Sequence, residues 1–245
     1  MPTIRTNGGM AAYPKVWVYS LLAVALGACL SVAGATEAGK AAADTHERHC
    51  HAESVQASPL PAWTGSELYH AMADRDVEYA ETLIERGEAV DIRDNHGNTP
   101  LLLAVKPRVD DMISGSPREA RRRAERDQQE QLVFMKMLLE HGADPNLKDR
   151  NGNTPLIQAA GFGYPSAHAI ALLTLLVEHH ADVNQQSENG LSALMEVSRR
   201  GDPEVVRFLL DKGADPALAD CEGRTAGDIA RTYGHTDVVR ILNQL

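Results

Sequence analysis

The chain has 245 residues, a net charge of −10 at pH 7 and only 4% aromatic residues. That length holds one or two ordinary domains, with a core expected from Leu, Val, Ala and Ile. The acidic balance excludes a general nucleic-acid binder, which needs basic surface to displace counterions. Residues 1–35 carry two bases, Arg5 and Lys15, and no acid, leaving 22 bases against 34 acids, or −12, in the remainder.

Arg5 and Lys15 precede an uncharged run from Val16 to Thr36 that ends in small residues, Ala33-Gly34-Ala35. A basic start, an apolar stretch and an A-x-A close predict a secretory signal over 1–35 and export to the periplasm. Alternatives remain. The run approaches the ~18 apolar residues of a membrane span, so it could stay as an anchor. Ala25-Leu26-Gly27-Ala28-Cys29 resembles a bacterial lipobox, which makes Cys29 a lipidation candidate. Met10 could be the true start. Membrane contact is expected only through this segment. Residues 36–62 hold no helical or strand period and close on Pro59 and Pro61, so they read as a disordered linker. His46, His49, Cys50 and His51 lie inside it and could ligate zinc or copper, but a solvated polar tail is the preferred reading.

Beyond the linker the chain repeats itself. Gly97-Asn98-Thr99-Pro100-Leu101 recurs as Gly152-Asn153-Thr154-Pro155-Leu156, each copy with an aspartate three residues ahead, Asp94 and Asp149. Gly permits a tight turn, Thr caps a helix, and Pro fits the first helical position. Ser66, Thr99, Thr154, Ser192 and Thr225 fall in register on this cap, at intervals of 33, 55, 38 and 33. A second marker follows each cap. It reads Gly142-Ala143-Asp144-Pro145-Asn146, His180-Ala181-Asp182-Val183-Asn184 and Gly213-Ala214-Asp215-Pro216-Ala217, with a weaker form at Gly87-Glu88-Ala89-Val90-Asp91. Apolar pairs such as Leu138-Leu139 and Leu209-Leu210 precede the markers.

These residues resemble the ankyrin repeat. The resemblance covers 64–245 and implies an all-α solenoid of about five units, each with two antiparallel helices and a β-turn finger. One helix pair cannot bury its apolar stripe alone, and stacking merges the stripes into one core. The domain is placed at 63–245, in units of about 64–94, 95–149, 150–187, 188–220 and 221–245. The first is degenerate, with a polar outer face suited to an N-terminal cap. The second carries a long insert over 106–128. Pro107 should end its first helix, and Ser116-Pro117-Arg118-Glu119 reads as a capping box opening an outer helix of roughly 24 residues, to Glu140. Its arginine-rich start reads either as a solvated extension or as a basic docking knob. The third unit has a short aromatic insert, in which Phe162 and Tyr164 either anchor a partner or fold back over the helices. The last is a degenerate C-terminal cap, where Gly227 replaces the usual leucine and weakens the helix. The family's histidine after T-P-L is absent, replaced by Leu102, Ile157, Met195 and Asp228. His180 replaces a C-terminal glycine, which implies strain.

Asp144, Asp182 and Asp215 recur with the repeat, so they read as turn residues rather than catalytic carboxylates. No nucleophile, phosphate or dinucleotide motif is found. Cys221 is expected at a finger tip. It could bridge to Cys50, but a free or intermolecular thiol is the preferred reading. The resemblance implies a non-catalytic protein-binding module with no cofactor, a monomer with an unidentified protein partner in the cell envelope. Finger residues Arg93, His96, Lys148, Arg150, Asn151, Gln185, Gln186, Asn189 and Glu222 are the contact candidates. Inner-helix residues Leu103, Gln158 and Glu196 join them. A metal-handling or redox accessory role through the His/Cys linker cluster, and a secreted effector, are the competing readings.

Overall fold

The computed structural model describes residues 67–107 and 117–244. Ten helices in five pairs lie among the described residues: α1 Glu67–Asp74 with α2 Val77–Glu85, α3 Pro100–Ala104 with α4 Pro117–Glu140, α5 Pro155–Gly161 with α6 Ser166–Glu178, α7 Ala193–Arg200 with α8 Pro203–Asp211, and α9 Ala226–Thr232 with α10 Thr236–Leu242. Inner helices α1, α3, α5, α7 and α9 each pack on the next, and so do outer helices α2, α4, α6, α8 and α10. This is the all-α repeat solenoid.

Each of the four described inner-helix starts is capped as its sequence dictates. Thr99, Thr154, Ser192 and Thr225 sit in extended backbone and accept from the N–H three residues on, at 3.2–3.3 Å. Pro100 and Pro155 occupy the first helical turn, where a missing N–H costs nothing. Asp76 and Asp202 cap the outer helices α2 and α8. Leu and Ala dominate the buried set, and Phe134 is the one aromatic among the largest fully buried side chains. Each fully buried leucine contributes on the order of 1.5–3 kcal/mol, and stacking makes the core continuous from Leu68 to Ile241.

Neighbouring units are also bracketed by polar bonds in register. The Asn146 side chain donates to the His180 carbonyl at 3.0 Å and accepts from Asp182 N–H at 2.7 Å. Asn184 repeats this on Gly213 and Asp215, at 3.0 and 2.8 Å. Asp144, Asp182 and Asp215 each accept from the N–H two residues on, as turn residues do. His180 holds φ at 69°, the left-handed position its sequence context implied.

Two expectations change. Asp228 does more than fill the place of the family's histidine. It closes a capping box with Thr225, accepting from its hydroxyl at 2.7 Å and its N–H at 3.0 Å. The Thr225 hydroxyl bond is the leading cause that holds the Asp228 carboxyl below its usual range. Gly227 lies beside it, and a Cβ there would meet nothing closer than Thr225 Oγ1 at 3.7 Å. Gly227→Ala is therefore expected to raise the unfolding free energy, by up to about 1 kcal/mol, as read from urea denaturation.

Secondly, the long helix α4 does not stand alone. It runs Pro117–Glu140, 24 residues, and Ser116 of the expected capping box lies outside the described residues. Below its exposed start, Arg75 pairs with Asp127 at 2.5 Å and also donates to its carbonyl at 2.7 Å. One turn further, Gln131 is buried. Its amide donates to the carbonyls of Ala104 and Val105 and to the Tyr164 hydroxyl, at 2.8–2.9 Å. Its oxygen accepts from His168 Nε2 at 2.8 Å. One glutamine thus satisfies the last carbonyls of α3, which Pro107 leaves without a continuing helix.

Candidate binding face

The fingers between units form one row. Arg150 N–H donates to the His96 carbonyl, Glu188 N–H to that of Asn151, and Cys221 N–H to that of Asn189, at 3.0–3.3 Å. Each finger is therefore stitched to the next through its tip. Close approach depends on glycine. At Gly152 (φ 74°) a Cβ would lie 2.5 Å from Glu188 N, and at Gly190 (φ 74°) 2.9 Å from the Asp220 backbone.

Side chains divide into two sets on this row. Arg93, Lys148 and Gln186 occupy one position of successive fingers. Arg93 donates to the Lys148 carbonyl at 2.6 Å, Lys148 to the Gln186 carbonyl at 2.8 Å, and Gln186 to the Ala219 carbonyl at 2.8 Å. These three candidates are ties between fingers, and their polar ends are committed to the scaffold. The set left facing solvent is His96, Arg150, Asn151, Asn189 and Glu222, all exposed. Glu222 carries an ion pair to Arg224 at 2.9 Å.

The floor of the row is made by inner helices. Leu103 is half-buried and packs on the core. Gln158 is half-buried too, and its amide donates to Asp149 at 2.9 Å. Its Oε1, like that of Gln185 in the finger, is buried without a hydrogen-bond partner. A buried acceptor without a donor costs free energy. Glu196 is held by Arg199 at 2.6 Å. Sequence reasoning missed Lys106, which joins this floor by donating to Asn98 Oδ1 at 3.0 Å. Burial lowers its pKa, against the pull of Asp149 and Asp94. Its spacing of three from Leu103, one helical face, was the available signal.

The aromatic insert takes the second of its two expected placements. Phe162 packs against the core, edge-on to Tyr164 with ring centroids 6.3 Å apart. The Tyr164 hydroxyl donates to the Val105 carbonyl at 2.5 Å, and burial pushes its pKa up to about 12. Neither ring is presented as an anchor. Cys221 also departs from its preferred reading as a free or intermolecular thiol, because it is disulfide-bonded. It sits exposed at the tip of the last finger, where a second cysteine can reach it. The sulfur lies 3.6 Å from the Glu188 carbonyl. His46, His49, Cys50, His51 and Cys29 lie outside the described residues, as do the signal and linker.

Comparison with known families decides the identity of this architecture. A model for ankyrin repeats (3 copies) matches residues 165–244, and one for ankyrin repeats (many copies) matches 123–167. The chain belongs to the ankyrin-repeat family. Ankyrin repeats generally serve as protein–protein interaction modules.

Proposed function

We propose that this ankyrin-repeat protein is a non-catalytic, exported binding module that holds or regulates a protein partner in the cell envelope. The observation that carries the reading is the row of exposed tips, His96, Arg150, Asn151, Asn189 and Glu222, fixed by backbone bonds between fingers. A pre-stitched row loses little conformational entropy on binding, which is where much of the cost of association lies. The basic start, apolar run and Ala33-Gly34-Ala35 of residues 1–35 support export.

Pull-down from the envelope fraction tests this. Replacing His96, Arg150, Asn151 and Asn189 together with alanine is expected to weaken capture at least about tenfold, as loss of central contacts does, with the unfolding midpoint unchanged. Equal capture by the wild type and the quadruple variant would remove the finger row from the proposal. Mass spectrometry of the mature N-terminus separates cleavage after Ala35 from lipidation at Cys29.

A further inference from the structure

Cys221 is exposed at the tip of the last finger and is disulfide-bonded. The chain has three cysteines, Cys29, Cys50 and Cys221, so the sulfur bonded to Cys221 within the chain is that of Cys29 or Cys50. Both precede the first unit. Export, the reading on which this inference rests, chooses between them. Cleavage after Ala35 removes Cys29, and lipidation would consume its thiol, so either route leaves Cys50. Export also supplies the oxidising compartment in which a disulfide persists. The Cys221 sulfur lies 3.6 Å from the Glu188 carbonyl, so it faces back toward the preceding finger rather than off the end of the stack.

The length of chain between the two cysteines and the stack limits the path. Cys50 stands 17 residues before Glu67, where α1 begins. Fully extended, that length spans at most about 56–61 Å, at about 3.3–3.6 Å per residue. The first and last inner helices, α1 and α9, are four packing steps apart. At about 8–10 Å per step, the start of α1 and the finger ahead of α9 are separated by about 32–40 Å. The direct route along the finger side is therefore within reach. A route behind the outer helices crosses two helix layers twice, at about 10–12 Å per layer, which adds about 40–48 Å and exceeds the chain. The direct route still demands a drawn-out chain, because a flexible coil of this length averages only about 21–25 Å end to end. The sequence suits that demand. Pro59 and Pro61 each bias the residue ahead, Ser58 and Leu60, toward extended backbone.

We propose that a Cys50–Cys221 disulfide draws residues 51–66 along the finger row as an intramolecular strap, so that the chain's own linker occupies the binding face until the bridge is reduced. The strap passes the exposed tips His96, Arg150, Asn151 and Asn189 on its way to Cys221. Its release is a two-electron thiol–disulfide exchange with a dithiol reductant. One thiolate of the dithiol attacks a sulfur of the bridge, the second resolves the mixed disulfide, and the dithiol closes to its own disulfide. Its two hydrogens end on Cys50 and Cys221 as thiols. Reduction thereby uncovers the row without any change in the stack.

Peptide mapping and footprinting of the full mature chain test this. Tryptic digestion after alkylation without reduction should yield residues 49–75 joined to residues 213–224. The mature N-terminus, read from the same sample, reports export separately. Docking, as distinct from tethering, is read from carbethoxylation of His96, exposed on the first finger, with exposed His180 as the internal reference. In the oxidised wild type His96 should react at least about tenfold more slowly than after dithiothreitol, as burial in a closed state protects. Cys50→Ser and Cys221→Ser should each react at the reduced rate, with or without dithiothreitol. An exported chain whose Cys221 is a free thiol, or is bonded to another molecule, overturns the inference and leaves export standing. So does a linked peptide with His96 reacting equally fast in both states, which is a tether without a strap. Residues 1–35 retained beside the same linked peptide and a protected His96 would sink export alone. Residues 1–35 retained with Cys29 bonded to Cys221 would overturn both.

Discussion

Gly152→Ala is expected to destabilise the protein by about 2–4 kcal/mol, against about 1 kcal/mol for Gly142→Ala. Both glycines hold positive φ, 74° and 87°. Both substitutions therefore carry the strain of an L-residue in left-handed backbone. They differ in what surrounds them. Nothing lies within 4 Å of a Cβ at Gly142, whereas one at Gly152 meets Glu188 N at 2.5 Å and Ser187 C at 3.1 Å. Those are backbone atoms of the next finger and cannot swing aside as a side-chain end can. Relief requires the third and fourth units to separate, and the Glu188 N–H to Asn151 carbonyl bond, 3.0 Å long, lies directly in that gap. Urea midpoints of the two variants at unchanged slope make the comparison. Equal losses would show that strain alone matters and that the fingers have room to part.

That contrast also marks what the residue pattern can and cannot convey. Register, caps and helix order were legible because each rests on local rules: Thr154 before Pro155, Gly142 after Leu138-Leu139, and a repeat that places every copy in the same environment. The length of α4 was legible too, since nothing between Pro117 and Glu140 breaks a helix. The second role of Arg93, Lys148 and Gln186 was not. A polar residue on a finger looks like a contact residue in sequence. Whether its end reaches solvent or the neighbouring carbonyl depends on the distance between fingers, which only stacking sets. Tyr164 was ambiguous for the same reason. Its fate depended on a free carbonyl at Val105, left where α3 stops after five residues. Gln131 carried one usable signal. It lies four residues before Met135 and seven before Leu138, on the apolar stripe of α4, where a polar residue is kept only if its bonds are met.

Acid should loosen the structure through His168. The ring is buried, and its Nε2 lies 2.8 Å from Gln131 Oε1, an acceptor to which it donates. Tyr164 packs edge-on at 5.0 Å, and the Arg75 cation, paired with Asp127, faces the same pocket. Burial, and then repulsion from Arg75, lower the His168 pKa from 6.5 to about 4. The folded value lies below the unfolded one, so the unfolded chain takes up the proton first as pH falls. Stability from this group is complete above about pH 6.5, declines as pH falls to about 4, and is constant below that. The full loss is about 3 kcal/mol, at 1.36 kcal/mol per pKa unit. Carboxylates titrate in the lower part of the same range, so the variant His168→Gln is needed to isolate the term. Its amide can still donate to Gln131 Oε1 but carries no charge at any pH in the window. At pH 7 the variant should be the less stable, because the amide packs the pocket less well than the ring. Between pH 7 and pH 4.5 the wild type should lose stability faster, closing the gap by roughly 2–3 kcal/mol in urea unfolding. A gap that stays constant with pH would mean that His168 protonates as easily folded as unfolded, and that the glutamine-centred network opens to admit the charge.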